Sequence, residues 1–309
     1  MVYVNITQTQ MKLILGILLG IISTTVLAWP TQPITIVVPY PPGGVNDQIA
    51  RFMQPDLESI LKVPVVIENK PGAANAVAIN YVLSKPNNDH TFIVSMDDFI
   101  IGPLYKDSKS YEEFRAINTV GTVPYLLYGN STSTLSNFKK QIKNSNTVNV
   151  ANNGVNGSAH LWLSNLKSTL KINPIFYKGA TPMIADVMGG HTEYGASSIP
   201  SSYPMITSGK LIPLMQSGHK RSSTYPNVPT QYELGVKGPP TLTWFAVFTR
   251  NTTSDVASKK FAEVTRIIIA NNPNIQELKN TGMDIINLGY DESELFFKQE
   301  VQKFESNKK

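Results

Sequence analysis

Apolar, mostly β-branched residues crowd into short runs along the chain, and several of these runs end at a polar, glycine-bearing loop that opens onto a helical pattern. Ile34-Thr35-Ile36-Val37-Val38 leads into Pro39-Tyr40-Pro41-Pro42-Gly43-Gly44, and Ile49, Ala50, Met53, Leu57, Ile60 and Leu61 then follow at helical spacing. Asn46 or Asp47 is placed to cap that helix and Pro55 to kink it. Val65 to Asn69, the loop Lys70-Pro71-Gly72-Ala73-Ala74-Asn75 and a helix bearing Val77, Ala78, Tyr81 and Val82 repeat the unit. Thr91 to Met96 makes a third strand. Strand, loop and helix in this alternation predict a parallel sheet with helices on both faces, and ligands in such sheets sit beyond the carboxyl ends of the strands.

The alternation restarts near Tyr125. Leu126-Leu127-Tyr128 reads as a strand, Leu135 to Ile142 as a helix, and Val148-Asn149-Val150 as a strand entering the polar loop Ala151 to Ser158, which contains Asn153. Ser158 is placed to cap a helix carrying Leu161, Trp162, Leu166 and Leu170. Ile175-Phe176-Tyr177 runs into Lys178-Gly179-Ala180, where Thr181 is the expected cap and Pro182 the first helical residue. Tyr194 to Ser198 and Leu211 to Met215 add two short strands, and Thr241 to Thr249 a longer one before a helix from Ser254 to Ala270. Asp291 to Phe304 is an amphipathic helix expected to pack on the first unit. The pattern predicts two α/β lobes, 29–124 with 241–309 and 125–240. Two crossings, near Gly121 to Tyr128 and near Gly238 to Phe248, act as the hinge.

Leu13 to Leu27 is apolar and nearly uncharged, with Lys12 before it and Val26-Leu27-Ala28 at its end, the pattern of a cleavable secretory signal over residues 1–28. Met1 and Met11 are both candidate starts. The apolar run is shorter than the roughly 20 residues a membrane span needs. With no cysteine the chain has neither disulfides nor a lipid-bearing N-terminal Cys. An exported, periplasmic, monomeric protein is the expectation, and the roughly 280 residues left after cleavage suit two lobes. The formal charge is +5, yet the 27 Lys and Arg are scattered, which argues against nucleic-acid binding.

The chain carries no G-x-S-x-G elbow, Walker A loop, G-x-G-x-x-G fingerprint or H-E-x-x-H pair, and its four histidines lack metal-ligand spacing. No enzyme, cofactor or metal is expected. Ser158 and His160 are two residues apart, a spacing that points side chains away from each other on a helix. Asp97-Asp98 follows the third strand at the same edge as the glycine loops. The pair suits a metal or ammonium site, but a turn or helix cap is the commoner role of such carboxylates. Taken together, the loops describe a cleft that holds a small polar molecule by backbone and hydroxyl groups, with helix N-termini supplying positive potential.

At these residues the chain resembles the substrate-binding proteins of tripartite tricarboxylate transporters. The resemblance runs through Val38-Pro39-Tyr40-Pro41-Pro42-Gly43-Gly44 and Asp47, Val65 to Ala73, Gly157-Ser158-Ala159-His160, Tyr177-Lys178-Gly179-Ala180, Gly189-Gly190, Ser208-Gly209-Lys210-Leu211, Pro226 to Thr230 and Glu233-Leu234-Gly235, in order and spacing. It implies a two-lobed periplasmic-binding-protein (Venus-flytrap) fold that closes over a small carboxylate and presents it to integral-membrane permease subunits. A ligand-sensing subunit for a membrane kinase is the alternative output. Matching ligand-binding positions are Gly44, Asn46, Asp47, Ala74, Asn75, Ser158, His160, Gly179, Ala180, Ser197 and Ser198, with Tyr40, Asp97 and Asn153 completing the candidate set. Val45-Asn46, Ala74-Asn75 and Met96-Asp97-Asp98 depart from the family's small and hydroxyl residues. An amino-acid-like ligand therefore stands beside a plain carboxylate.

Overall fold

The computed structural model describes residues 29–73, 75–86, 89–104, 106–144, 146–152, 158–166, 169–177, 180–239 and 241–307. The signal segment 1–28, Ala74, Asn153 and Gly179 lie outside the described residues. Strand β1 (Ile34–Val38) pairs in parallel with β2 (Val65–Asn69) and β3 (Thr91–Met96). Their connecting helices are α1 (Val45–Leu61) and α2 (Ala76–Ser84), and α3 (Asp98–Leu104) follows β3. In α1, Ile49, Ala50, Met53, Leu57 and Leu61 are buried as the spacing predicts. Phe52 joins them, whereas Ile60 is 47% exposed, because it falls on the turn's outer side.

A single 17-residue strand, β4 (Phe114–Asn130), joins the two halves of the sheet. Its first part pairs antiparallel with β9 (Leu242–Arg250) from Phe114 to Pro124, and β9 pairs antiparallel with β3. Its last part, from Tyr125, pairs with β7 (Tyr194–Ser198) and β8 (Leu211–Gln216). Beyond β7 lie β5 (Thr147–Asn152) and β6 (Lys171–Phe176), parallel to each other, with β5 also parallel to β7. The spatial order is β2-β1-β3-β9-β4-β7-β5-β6. The sheet is thus mixed rather than purely parallel. β9 and β4 are the strands that make it so.

The second half carries α4 (Leu135–Lys143), α5 (Ser158–Leu166), α6 (Ala180–Met188) and α7 (Ile199–Thr207). Because α6 begins at Ala180, Thr181 and Pro182 sit inside its first turn rather than at its boundary; Pro182 costs no intrahelical hydrogen bond there. The chain then returns to the first half as α8 (Asp255–Asn271), capped by Ser254, whose hydroxyl accepts from the Ala257 N–H. A short α9 (Ile275–Asn280), strand β10 (Asp284–Leu288) and α10 (Tyr290–Asn307) complete it. Phe297 and Phe304 of α10 pack with Trp244 and Phe248 in the core below the first sheet half. Phe92 and Phe261 stack at 3.7 Å on its opposite face, and Trp162 and Phe138 anchor the second half.

The crossing is pinned by hydrogen bonds. The Tyr125 N–H donates to Ser217 Oγ at 2.9 Å, and Ser217 Oγ donates in turn to the Thr241 carbonyl. β10 crosses β4 closely at Gly121, where an added Cβ would lie 2.5 Å from Met283 Cγ and 2.7 Å from the Asp284 carbonyl.

Candidate functional site

Strand direction brings six strand ends to one edge of the sheet. Met96 pairs with Phe245, which pairs with Gly121, so the carboxyl ends of β1, β2 and β3 face the crossing from one side. Ser198 pairs with Tyr125, Asn152 with Ala196 and Phe176 with Asn152, so those of β5, β6 and β7 face it from the other. Helices α1, α2, α3, α5, α6 and α7 all begin at these strand ends. Their unpaired N–H groups give the gap between the halves a positive rim.

The first loop is held by Asp47. Gly43, at φ +87°, donates its N–H to Asp47 Oδ2 at 2.9 Å, and Arg51 Nε donates to the same oxygen at 2.8 Å. Asn69 Nδ2 donates to Asp47 Oδ1 and to the Tyr40 carbonyl, each at 3.0 Å. Burial acts to raise the Asp47 pKa, but the Arg51, Gly43 and Asn69 donors outweigh it and hold the carboxyl below its ordinary range. Neither Asn46 nor Asp47 caps α1; the N-cap is Gly44, with no side-chain bond. The sequence expectation of an Asx cap fails because Asp47 turns back to the loop, leaving the first-turn amides open.

A cleft of about 330 Å³ opens here, lined by Tyr40, Gly44, Asn46, Met96, Ser198 and Thr243 among others. Asn46 is 3% exposed, and its Oδ1 has no hydrogen-bond partner. Such atoms cost free energy unless something occupies the cleft to meet them.

Asp97 and Asp98 stand at the start of α3. Asp97 is 1% exposed and accepts from Ser158 Oγ at the start of α5, a bond from one half to the other. Asp98 is half-buried and accepts from the Tyr40 hydroxyl. Burial, and then the neighbouring Asp98 charge, push Asp97 well up, while Ser158 opposes. Burial raises Asp98 to about 6 against the pull of Tyr40 and Asn75. Among the described residues neither carboxylate has a Lys or Arg within ion-pair distance. Thr243 Oγ1 donates to Tyr125 Oη at 2.5 Å, and burial with the Asp97 charge holds the Tyr125 hydroxyl well above its usual pKa.

The other sequence-selected residues divide. Ser198 lines the cleft, whereas Ser197 is fully buried, its Oγ 3.2 Å from the Tyr128 hydroxyl. His160 packs edge-on against Phe176, ring centroids 4.9 Å apart, and Ala180 opens α6 against the core. Tyr125, Thr243 and Phe245 join the site from the crossing strands, and no local motif marks them. A larger cavity, about 570 Å³, lies at the far end of β4 between Tyr111, Arg115, Asn251 and Phe297. Its charged walls are partnered, Lys298 by Glu294 and Arg115 by Asp255, so the cleft is the better candidate. Among the described residues there is no cluster of three or more metal-ligating side chains, and no helix is long and apolar enough to cross a membrane.

A family model for the tripartite tricarboxylate transporter family receptor matches residues 49–307. Protein BugT of Bordetella pertussis is 31% identical over 230 residues, covering 71% of each chain. The crystal structure of a TctC solute-binding protein from Polaromonas superposes with a TM-score of 0.76 at 22% identity, covering 90% of this chain and 98% of that one. The R. palustris protein Rpa4515, solved with adipate, gives 0.75 at 22% identity, covering 90% and 97%. These likenesses show the two-lobed periplasmic-binding fold.

Proposed function

The chain belongs to the tripartite tricarboxylate transporter receptor family, whose members are binding receptors and not enzymes, and we propose that it captures a small organic acid in the cleft and delivers it to integral-membrane permease subunits. Export through a cleaved segment over residues 1–28 and residence in the periplasm are part of this reading. So are lobes of 29–124 with 241–309 and 125–240.

The observation that carries it is a cleft lined by the start of α1 from one half and the start of α7 from the other, with the buried, unpartnered Asn46 Oδ1 on its wall. Helix-terminal N–H groups aimed at one point stabilise a carboxylate without an arginine and cost little reorganisation. A ligand that touches Gly44 and Asn46 on one side and Ser198 on the other binds the closed arrangement better than the open one. It shifts the population accordingly. The adipate bound by Rpa4515 is an acid of the expected kind.

The test is thermal-shift screening of the purified protein with mono-, di- and tricarboxylates and amino acids, followed by native mass spectrometry. A shift of several degrees with one acid, recovered chemically unchanged, is the expected result. No shift across the panel would overturn the receptor reading.

A further inference from the structure

Resting on the receptor reading above, we propose that Asp98, together with Tyr40 and Asn46, forms a counter-ion subsite for a protonated nitrogen, so that the ligand is a carboxylate that also bears an ammonium group. The two sides of the cleft offer opposite hydrogen-bonding partners. The second-half side presents donors at the start of α7, where Ser201 and the N-cap Ser198, whose side chain makes no cap bond, line the cleft. The first-half side presents acceptors as well. Asn46 Oδ1 is buried and unpartnered on the cleft wall, and Asp98 stands behind the Tyr40 hydroxyl with no cation among the described residues to balance it.

A ligand with only carboxylates would leave the acceptors unmet and meet the Asp97–Asp98 charge by repulsion. A nitrogen with several N–H groups satisfies both, since an ammonium carries three donors. Asp98 is the partner rather than Asp97, because Asp97 is 1% exposed and already holds Ser158. Burial keeps the Asp98 carboxyl protonated more readily than usual, at about 6, a state that a bound cation reverses.

The experiment is calorimetric titration of the purified protein with matched acids, succinate against L-aspartate, glutarate against L-glutamate and butyrate against 4-aminobutyrate, near neutral pH. In at least one pair the aminated acid should bind about 10-fold tighter or more. Asp98→Asn keeps an oxygen for Tyr40 but removes the charge. It should cut that ratio about 10-fold, partly because the plain acid binds more tightly once repulsion is gone. Plain acids that bind as well as their partners in every pair, or a preference that survives Asp98→Asn, would overturn the subsite and leave the receptor standing. Binding of no acid at all would overturn both. Should the variant fail to fold, the wild-type ratio decides: it should drop about threefold or more between about pH 7.5 and pH 5, as Asp98 takes up its proton, and a constant ratio overturns the assignment.

Discussion

Asp47 and Asp98 each stand in the first turn of a helix that follows a parallel strand, at the same edge of the same sheet, yet their surroundings are opposite. Asp47 receives Gly43, Arg51 and Asn69, and its pKa is lowered; Asp98 receives the Tyr40 hydroxyl and the Asn75 side chain but, among the described residues, no cation, and its pKa is raised to about 6. The first carboxylate is satisfied by the protein alone and shapes the loop that bears Tyr40 and Gly44. The second is satisfied only in part, and what it lacks must come from outside. Position in the fold therefore does not assign the role. The count of donors already spent on the carboxylate does.

The largest effect should come from Asp47→Ala. It strands the Asn69 amide, frees Gly43 and removes the partner of Arg51, and should cost about 2 to 4 kcal/mol of stability in urea unfolding. Asp98→Asn should instead stabilise the ligand-free protein above pH 6, by about 1 kcal/mol. If Asp98→Asn proves the more damaging of the two, the contrast fails.

Next in size is the pH dependence. The Asp98 carboxyl titrates at 3.8 unfolded and at about 6 folded, so between those values the folded state holds a proton that the unfolded state has released. Stability of the ligand-free protein should fall as pH rises from about 4 to about 6, by up to about 3 kcal/mol. The charged and titratable groups around Asp98 are Tyr40 on the first loop, Asp97 beside it, Tyr125 of β4, and Glu300 and Lys303 of α10, which act on Asp97 in opposite senses. Asp97, also raised, adds to the fall. Asp47 has the opposite sign: its stabilisation is present above 3.8 and is lost as pH falls through its lowered value. Urea midpoints against pH should show a shallower slope for Asp98→Asn, and an unchanged slope would place the titration elsewhere.

Tyr40→Phe comes third. It removes the hydrogen bond that most favours the charged Asp98, so the folded Asp98 pKa should rise further and the declining limb of the pH profile should move upward. Affinity for an aminated acid should drop about 10-fold, in line with a charge-assisted bond of about 1.5 kcal/mol. A profile that stays in place would mean that Tyr40 does not set the Asp98 charge.

Much of the scaffold was legible because its strands are continuous apolar runs: Ile34–Val38 and Thr91–Met96 are bounded by turn residues and coincide with β1 and β3. The first part of β4 was not. Asn118 and Thr119 interrupt its apolar pattern, and the segment is held instead by Asn118 Nδ2, which donates to the Leu288 carbonyl, and the Thr119 N–H, which donates to Ser293 Oγ, 170 and 174 residues away in sequence. β10 is half-buried and short, without the alternation that betrays a strand. The glycine loops of the site announced themselves by composition. Thr243 and Tyr125 did not, since the crossing that joins them is a tertiary fact, and the separate roles of Asp97 and Asp98 depend on Ser158 and Tyr40, each about 60 residues distant.

The smallest effect should belong to Arg51→Ala, and it tests the contrast most finely. Among the described residues Arg51 is the one cation paired with Asp47, yet its side chain is 51% exposed, so solvent screens most of the attraction. Gly43 and Asn69 remain as neutral donors to the same carboxylate. Stability should fall by only about 0.5 kcal/mol, and the gap between Asp47→Ala and Arg51→Ala then measures what the buried neutral donors contribute. A loss as large as that of Asp47→Ala would instead make the ion pair the organiser of the first loop, and the difference between Asp47 and Asp98 would reduce to the presence or absence of one cation.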